Sequence, residues 1–266
     1  MDLQMNYMMT KKRLLPALAL ACLASLTIQN AQATATFSSY ANVTYTIDSL
    51  TNLTNAGDFS GLDIAGSFVL APYGDMQYIT GDGSVTASPF DAEPTTIIPA
   101  IGSSYTRTFQ LNGTANNGGE VAANYLAYFG PAFQNFSTTN SYAVGLTLSY
   151  ELSAMASGND ANTGVTLNYS AEHINATFDI TADPTFFGAD YAGTNQYLGT
   201  TFLHNSHVFN FTLAPGEYEM LYANAGITGT LQALPQTSPV PLPSALWLFA
   251  SALLAIPGLR KSNKTA

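Results

Sequence analysis

Residues 144–152 read Val144-Gly145-Leu146-Thr147-Leu148-Ser149-Tyr150-Glu151-Leu152. Apolar side chains stand at every second position, with Gly, Thr, Ser and Glu between them. Successive side chains of a strand point to opposite faces, so this pattern makes a β-strand with one face buried and one in water. A helix would bring Thr147 and Glu151 onto the same face as Val144 and Leu148, mixing polar with apolar.

The alternation recurs in both directions from this stretch. Val43, Tyr45 and Ile47 alternate with Thr44, Thr46 and Asp48. Further sets are Val165, Leu167 and Tyr169; Phe178 and Ile180; Phe209, Phe211 and Leu213. Tyr218, Met220 and Tyr222 form the last, alternating with Glu217, Glu219 and Leu221. The 15 Tyr and 15 Phe, with abundant Thr and Val, suit half-buried pleated surfaces. Turn signals separate the runs: Asn55-Ala56-Gly57-Asp58, Ala71-Pro72-Tyr73-Gly74, Gly81-Asp82-Gly83-Ser84, Asn112-Gly113 and Ser157-Gly158-Asn159-Asp160. In Leu213-Ala214-Pro215-Gly216-Glu217-Tyr218, Pro215 presets φ at the second turn position and Gly216 accepts positive φ at the third. This predicts a type II turn closing a hairpin. The expected body is all-β, an antiparallel jelly-roll-like β-sandwich over residues 34–237. Two segments interrupt the pattern. Glu120–Phe129 fits a short helix or a strand equally well, stopped by Gly130-Pro131. Gly113–Gly119, all small or polar, reads as an internal linker.

The ends of the chain are of another kind. Residues 1–33 read as a secretory signal: Lys11, Lys12 and Arg13, the apolar stretch Leu14–Ile28, then Ala31-Gln32-Ala33 as a cleavage site. Cys22, the chain's single cysteine, falls inside this segment, so the body has no disulfide and relies on core burial or bound ions. Leu20-Ala21-Cys22 supplies a lipoprotein alternative, with Ala19 standing where that motif takes Leu. Between the two ends Arg107 is the sole Lys or Arg, against sixteen of the seventeen acidic residues (all but Asp2). Such a body lacks the cations that neutralise phosphates, which excludes nucleic acid as a partner and disfavours anionic lipid.

Residues 238–266 read SPVPLPSALWLFASALLAIPGLRKSNKTA. Alternating Pro239, Pro241 and Pro243 keep the start extended. An apolar transmembrane segment, 244–259, follows, with Trp247 as an interfacial anchor. Arg260, Lys261 and Lys264 then form a cytoplasmic stop. The segment is shorter than the roughly 20 residues of a stable span, as suits a segment recognised and then removed. Val240, Pro241, Leu242 and Pro243, the run Ser244-Ala245-Leu246-Trp247-Leu248-Phe249 and the basic end together resemble the PEP-CTERM sorting signal. The family's namesake has Glu where Leu242 stands. The resemblance covers about a tenth of the chain. It implies an exosortase, a membrane cysteine transpeptidase-like enzyme of Gram-negative bacteria, as partner during sorting. It also implies delivery from the inner membrane to the cell surface or extracellular matrix.

Candidate chemistry in the body is thin. His204 and His207 are three apart and on a strand face opposite sides, so they cannot share a zinc ion. Glu172-His173 adds no third ligand in sequence. There is no G-x-S-x-G elbow. Glu217 and Glu219 share one strand face and read as solvated outer-face residues rather than a glycosidase pair. Asn-x-Thr triplets such as Asn42-Val43-Thr44 follow from composition. The loop Ser157–Gly164 packs oxygen ligands with glycines, and Asn159, Asp160 and Asn162 are the candidate calcium ligands; without calcium it is an Asn/Asp/Gly turn. The expectation is a non-enzymatic surface or biofilm-matrix protein. The alternatives are a calcium- or carbohydrate-binding module, with extracellular polysaccharide as partner, and a secreted hydrolase.

Overall fold

The computed structural model describes residues 34–72, 77–88 and 92–235, and among them every regular element is a strand. The strands are β1 (Ala35–Asn52), β2 (Leu62–Pro72), β3 (Tyr78–Ser88), β4 (Ala92–Thr96) and β5 (Ser104–Asn135). They continue with β6 (Tyr142–Ser157), β7 (Asn162–Ile174), β8 (Ile180–Asn195), β9 (Thr200–Leu213) and β10 (Tyr218–Gln232). All ladders are antiparallel and join one sheet, ordered β8-β7-β10-β5-β1-β6-β9 with β2, β3 and β4 off that path. The end strands β8 and β9 lie beside each other without a ladder, so the sheet is nearly closed into a barrel.

β5 organises this arrangement. Its first half pairs with β1 and its second half with β10, while β3 and then β2 run along its other edge. Thr114 pairs with both Thr36 and Ser84, and Val121 with both Leu231 and Ile79, which puts β1 and β10 on the same edge. Two wings, β1-β6-β9 and β10-β7-β8, therefore leave that edge at different heights and pack across a shared core. Tyr150 of β6 meets Tyr169 of β7 with ring centroids 6.3 Å apart. Phe186 of β8 meets Phe209 of β9 at 4.8 Å, and Phe133 of β5 meets Phe211 edge-on at 5.2 Å. Tyr45, Tyr142, Tyr150, Phe109, Phe129 and Phe133 are also fully buried. Each fully buried aromatic contributes roughly 2–3 kcal/mol of gross stabilisation, which matters in a body without disulfides.

The inward rows at 43–47, 144–152, 165–169 and 209–213 are buried as the alternation predicts. Glu120–Phe129, left open between helix and strand, is strand, with Val121, Ala123, Tyr125, Ala127 and Phe129 inward. Other expectations are corrected. Gly113–Gly119 is no linker but part of β5. Its small residues make room for the Phe37 ring at Gly113, and positive φ at Asn117 (49°) and Gly118 (79°) bends the strand. Gly130-Pro131 does not end it either. The β10 ladder lapses there, because Gly130 lets the Leu221 carbonyl approach and Pro131 has no N–H to offer. Asn112-Gly113 and Gly81–Ser84 lie inside strands, the latter at a bulge where Gly81 has φ 61°. Phe178 and Ile180 are exposed; Phe178 sits in a turn where Asn175 Oδ1 accepts the N–H groups of Thr177 and Asp179.

The type II turn forms as expected: Glu217 N–H donates to Ala214 O at 3.1 Å, and Gly216 has φ 79°. It closes no hairpin. β9 pairs with β6, β10 pairs with β5 and β7, and the turn carries the chain from one wing to the other. Buried Asn135, at the end of β5, secures the crossing by donating to Asn140 O (2.8 Å), Ala214 O (2.9 Å) and Leu213 O (3.2 Å). The phase of β10 is also reversed. Glu219, Leu221, Ala223, Ala225 and Ile227 face inward, while Tyr218, Met220 and Tyr222 are only half-buried. The inward row carries the smaller side chains, with Ala223 and Ala225 fully buried. The signal segment 1–33 with Cys22, the turn residues Tyr73 and Gly74, and the whole tail lie outside the described residues. The tail includes the expected sorting motif Val240, Pro241, Leu242 and Pro243, the segment 244–259, and the basic residues Arg260, Lys261 and Lys264.

Candidate functional site

Where the chain crosses from β9 to β10, the mouth between the wings opens into a cleft of about 670 Å³. Its walls are Leu53, Ser141, Asn210–Ala214, His173, Asp183, Glu217 and Glu219. Mouths of β-barrels are a common place for ligands.

Glu219 is the first inward residue of β10. Its ladder partner on β7 is His173, and directly opposed residues of an antiparallel pair present side chains on the same face. His173 Nδ1 lies 2.9 Å from Glu219 Oε2. Glu219 itself is 0% exposed, and its Oε1 has no hydrogen-bond partner. Burial pushes its carboxyl up to about 7; His173 partly offsets this, and the charges of Asp183 and Glu217 push it further. Glu217 Oε2 accepts the Ala214 N–H at 2.7 Å and lies 3.6 Å from His173 Nε2, so one imidazole stands between two carboxylates. Asp183 Oδ1 accepts from Thr185 N–H (2.7 Å) and Thr185 Oγ1 (2.6 Å). A carboxyl that titrates near neutrality in an open cleft can exchange a proton or hold a cation.

The candidate calcium ligands lie elsewhere, in the turn from β6 to β7. Asp160 has φ 50°, and Asn159 Nδ2 donates to Asp160 Oδ2 (3.0 Å) and Gln232 O (3.5 Å). Asp160 and Asn162 line a smaller cleft of about 230 Å³ with Asn195, Gln196, Tyr197 and Thr230. Asn159 is not part of it. His204 and His207 do face opposite ways. His204 Nδ1 is 3.5 Å from Glu151 Oε1, and His207 is held between the hydroxyls of Tyr150 (2.9 Å) and Tyr169 (3.3 Å). Glu172 points away from His173 and accepts the Tyr222 hydroxyl at 3.2 Å. Among the described residues no group of three His, Cys, Asp or Glu converges on a metal-binding point.

The outer-face reading of Glu219 is corrected by this geometry. It followed from placing the large Tyr218, Met220 and Tyr222 inward. The contrary signal lies downstream: the row containing Glu219 continues apolar through Leu221, Ala223, Ala225, Ile227, Leu231 and Ala233. The other row turns polar at Asn224, Thr228, Thr230 and Gln232. Comparison of the chain with protein-family models and with curated protein sequences finds no match.

Proposed function

We propose that this chain is an exported protein of the cell surface or extracellular matrix, delivered by its C-terminal tail and acting through binding rather than catalysis. The observation that carries this reading is a coincidence of boundaries. Among the described residues the ten strands run from Ala35 to Gln232, within the stretch bounded by the expected cleavage site at Ala33 and the tail that begins at Ser238. A β body with an address at either end is the organisation of a sorted, exported domain. On this reading the signal and the apolar tail are helices, and exosortase and the inner membrane are the partners during sorting. The two wings packed over one core serve as a jelly-roll-like sandwich scaffold, and extracellular polysaccharide is the partner at the destination. Intact mass and cell fractionation of the native protein test it. Loss of residues 1–33 and of the chain after about Pro243, in an outer-surface fraction, is the expected result. A full-length C-terminus retained in the inner membrane overturns the sorting reading.

A second reading is favoured by the cleft at Asp160, Asn162, Asn195 and Gln196. Its polar lining is rich in side-chain oxygens, the Gln196 Oε1 atom is buried without a partner, and Tyr197 stands 85% exposed at its rim. Oxygen ligands suit calcium, and amides beside an exposed ring suit a sugar. A glycan array with and without calcium tests this. Absence of signal in both arms rejects it.

A further inference from the structure

The Glu219 cleft combines two features that a purely structural ion pair does not explain. Its acidic groups outnumber its basic one: Glu217, Glu219 and Asp183 surround His173 alone. The only Arg or Lys of the body, Arg107, lies on β5 with its guanidinium over the Tyr105 ring at 4.9 Å. Independently, Glu219, one of the lining residues, is fully buried and its Oε1 has no hydrogen-bond partner. An unpaired buried polar atom is costly and implies a group that completes it.

We propose that this cleft binds a small aliphatic amine, with its ammonium group at Glu219 and Glu217 and its methylene stem against Phe211 and Leu53. An ammonium group has three donors and no acceptor, which matches a carboxylate-rich site lacking chain cations. Among the described residues no three carboxylate or imidazole groups converge as a metal ion would need, which disfavours a bare metal ion over an ammonium held by two carboxylates. Leu53, 59% exposed, and Phe211 supply the apolar part of a largely polar lining, and a hydrocarbon stem can lie against them. This assignment is independent of the export reading and can fail without it.

Equilibrium dialysis of the full-length chain in detergent with labelled putrescine at pH 8 tests the proposal. Saturable binding to one site is expected, displaced by n-butylammonium but not by its neutral isostere 1-butanol nor by calcium at equal ionic strength. Glu219→Gln and Glu217→Gln should each weaken binding about tenfold or more, the loss expected for one charge-assisted contact. Should Glu219→Gln fail to fold, Glu217→Gln decides the matter, because Glu217 sits on the turn outside the core. No saturable uptake, equal displacement by 1-butanol, displacement by calcium, or unchanged affinity in the folded variants would each overturn it.

Discussion

Asp190 of β8 accepts a hydrogen bond from Asn205 Nδ2 of β9 at 2.9 Å, across the one place where the terminal strands of the sheet have no ladder between them. The same carboxylate oxygen accepts the hydroxyl of Tyr150 from β6, and His207 Nε2 lies 2.9 Å from that hydroxyl. The Tyr169 ring stacks on His207 with centroids 4.4 Å apart. Side chains therefore close the barrel where backbone does not. The Tyr150 hydrogen bond, with Asn205 and His207, holds the Asp190 carboxyl below the usual carboxylate range against the opposing effect of partial burial.

Replacing Asp190 with Ala leaves the Tyr150 hydroxyl without its acceptor. The expected loss is roughly 2–3 kcal/mol, measured by urea unfolding. Asp190→Asn, which keeps an acceptor, should lose less. Amide exchange in β8 and β9 should quicken more than in β1 and β5. If Asp190→Ala unfolds like the parent, the packing of Phe186 on Phe209 alone holds the seam.

Glu219 gives stability the opposite pH dependence from Asp190. Its folded pKa of about 7 exceeds the ordinary 4.5, so the folded chain keeps a proton that the unfolded chain has released. The contribution of this group is greatest below about pH 4.5 and is lost as pH rises to 7, by an amount on the order of 2–3 kcal/mol. His173, Asp183 and Glu217 face the same carboxyl and shape that window. Glu219→Gln should therefore gain stability relative to the parent between pH 5 and pH 8. A parent–variant difference equal at both values, in urea melts, contradicts the assignment. For Asp190 the depressed pKa contributes stability above the unfolded value and loses it as pH falls, so the two effects occupy separate ranges.

Asn135 is 1% exposed and donates to three carbonyls at the wing crossing while accepting the Ser137 N–H at 3.0 Å. Ala at this position strands several buried groups at once. A loss of about 3–4 kcal/mol is expected in chemical denaturation. Asp, which has no N–H to donate, should not rescue it. A loss within about 0.5 kcal/mol would show that the type II turn holds the crossing without this side chain.

The Phe37 ring lies between Gly113 of β5 and Gly229 of β10, where a Cβ on either glycine would overlap it. Gly113→Ala and Gly229→Ala should each destabilise by roughly 1–3 kcal/mol through overpacking. Phe37→Leu should partly restore each variant. Gly226→Ala, with no atom near its added carbon, is the matched control and should be close to neutral. Equal melting temperatures for Gly226→Ala and Gly113→Ala would count against ring packing as the reason for these glycines.

The strands were legible wherever large apolar residues held one phase, as at Val144–Leu152 and Val165–Tyr169. They were misread where glycine stood for close approach rather than for a turn. Gly113, Gly118 and Gly119 look like a linker in isolation; only the Phe37 ring at Gly113, the positive φ of Gly118 and the β3 backbone at Gly119 show why side chains are excluded there. Glu219 was misread for a related reason. Side-chain size suggested that Tyr218 and Tyr222 face inward, but the buried row is the one that holds Glu219, Leu221, Ala223 and Ala225.

By itself the sequence determined the all-β class and the inward faces of β1, β6, β7 and β9, because period-two alternation is a local property of the strand. It also determined the chemistry of Pro215-Gly216, because backbone φ is set within the residue. Which strands pair, that the turn crosses between wings, and that Glu219 meets His173 were decided by tertiary structure alone. Those relationships depend on register between residues as distant as positions 133, 173 and 219. No local pattern encodes the register of remote strands; it emerges only when β5 bends and two wings compete for one core.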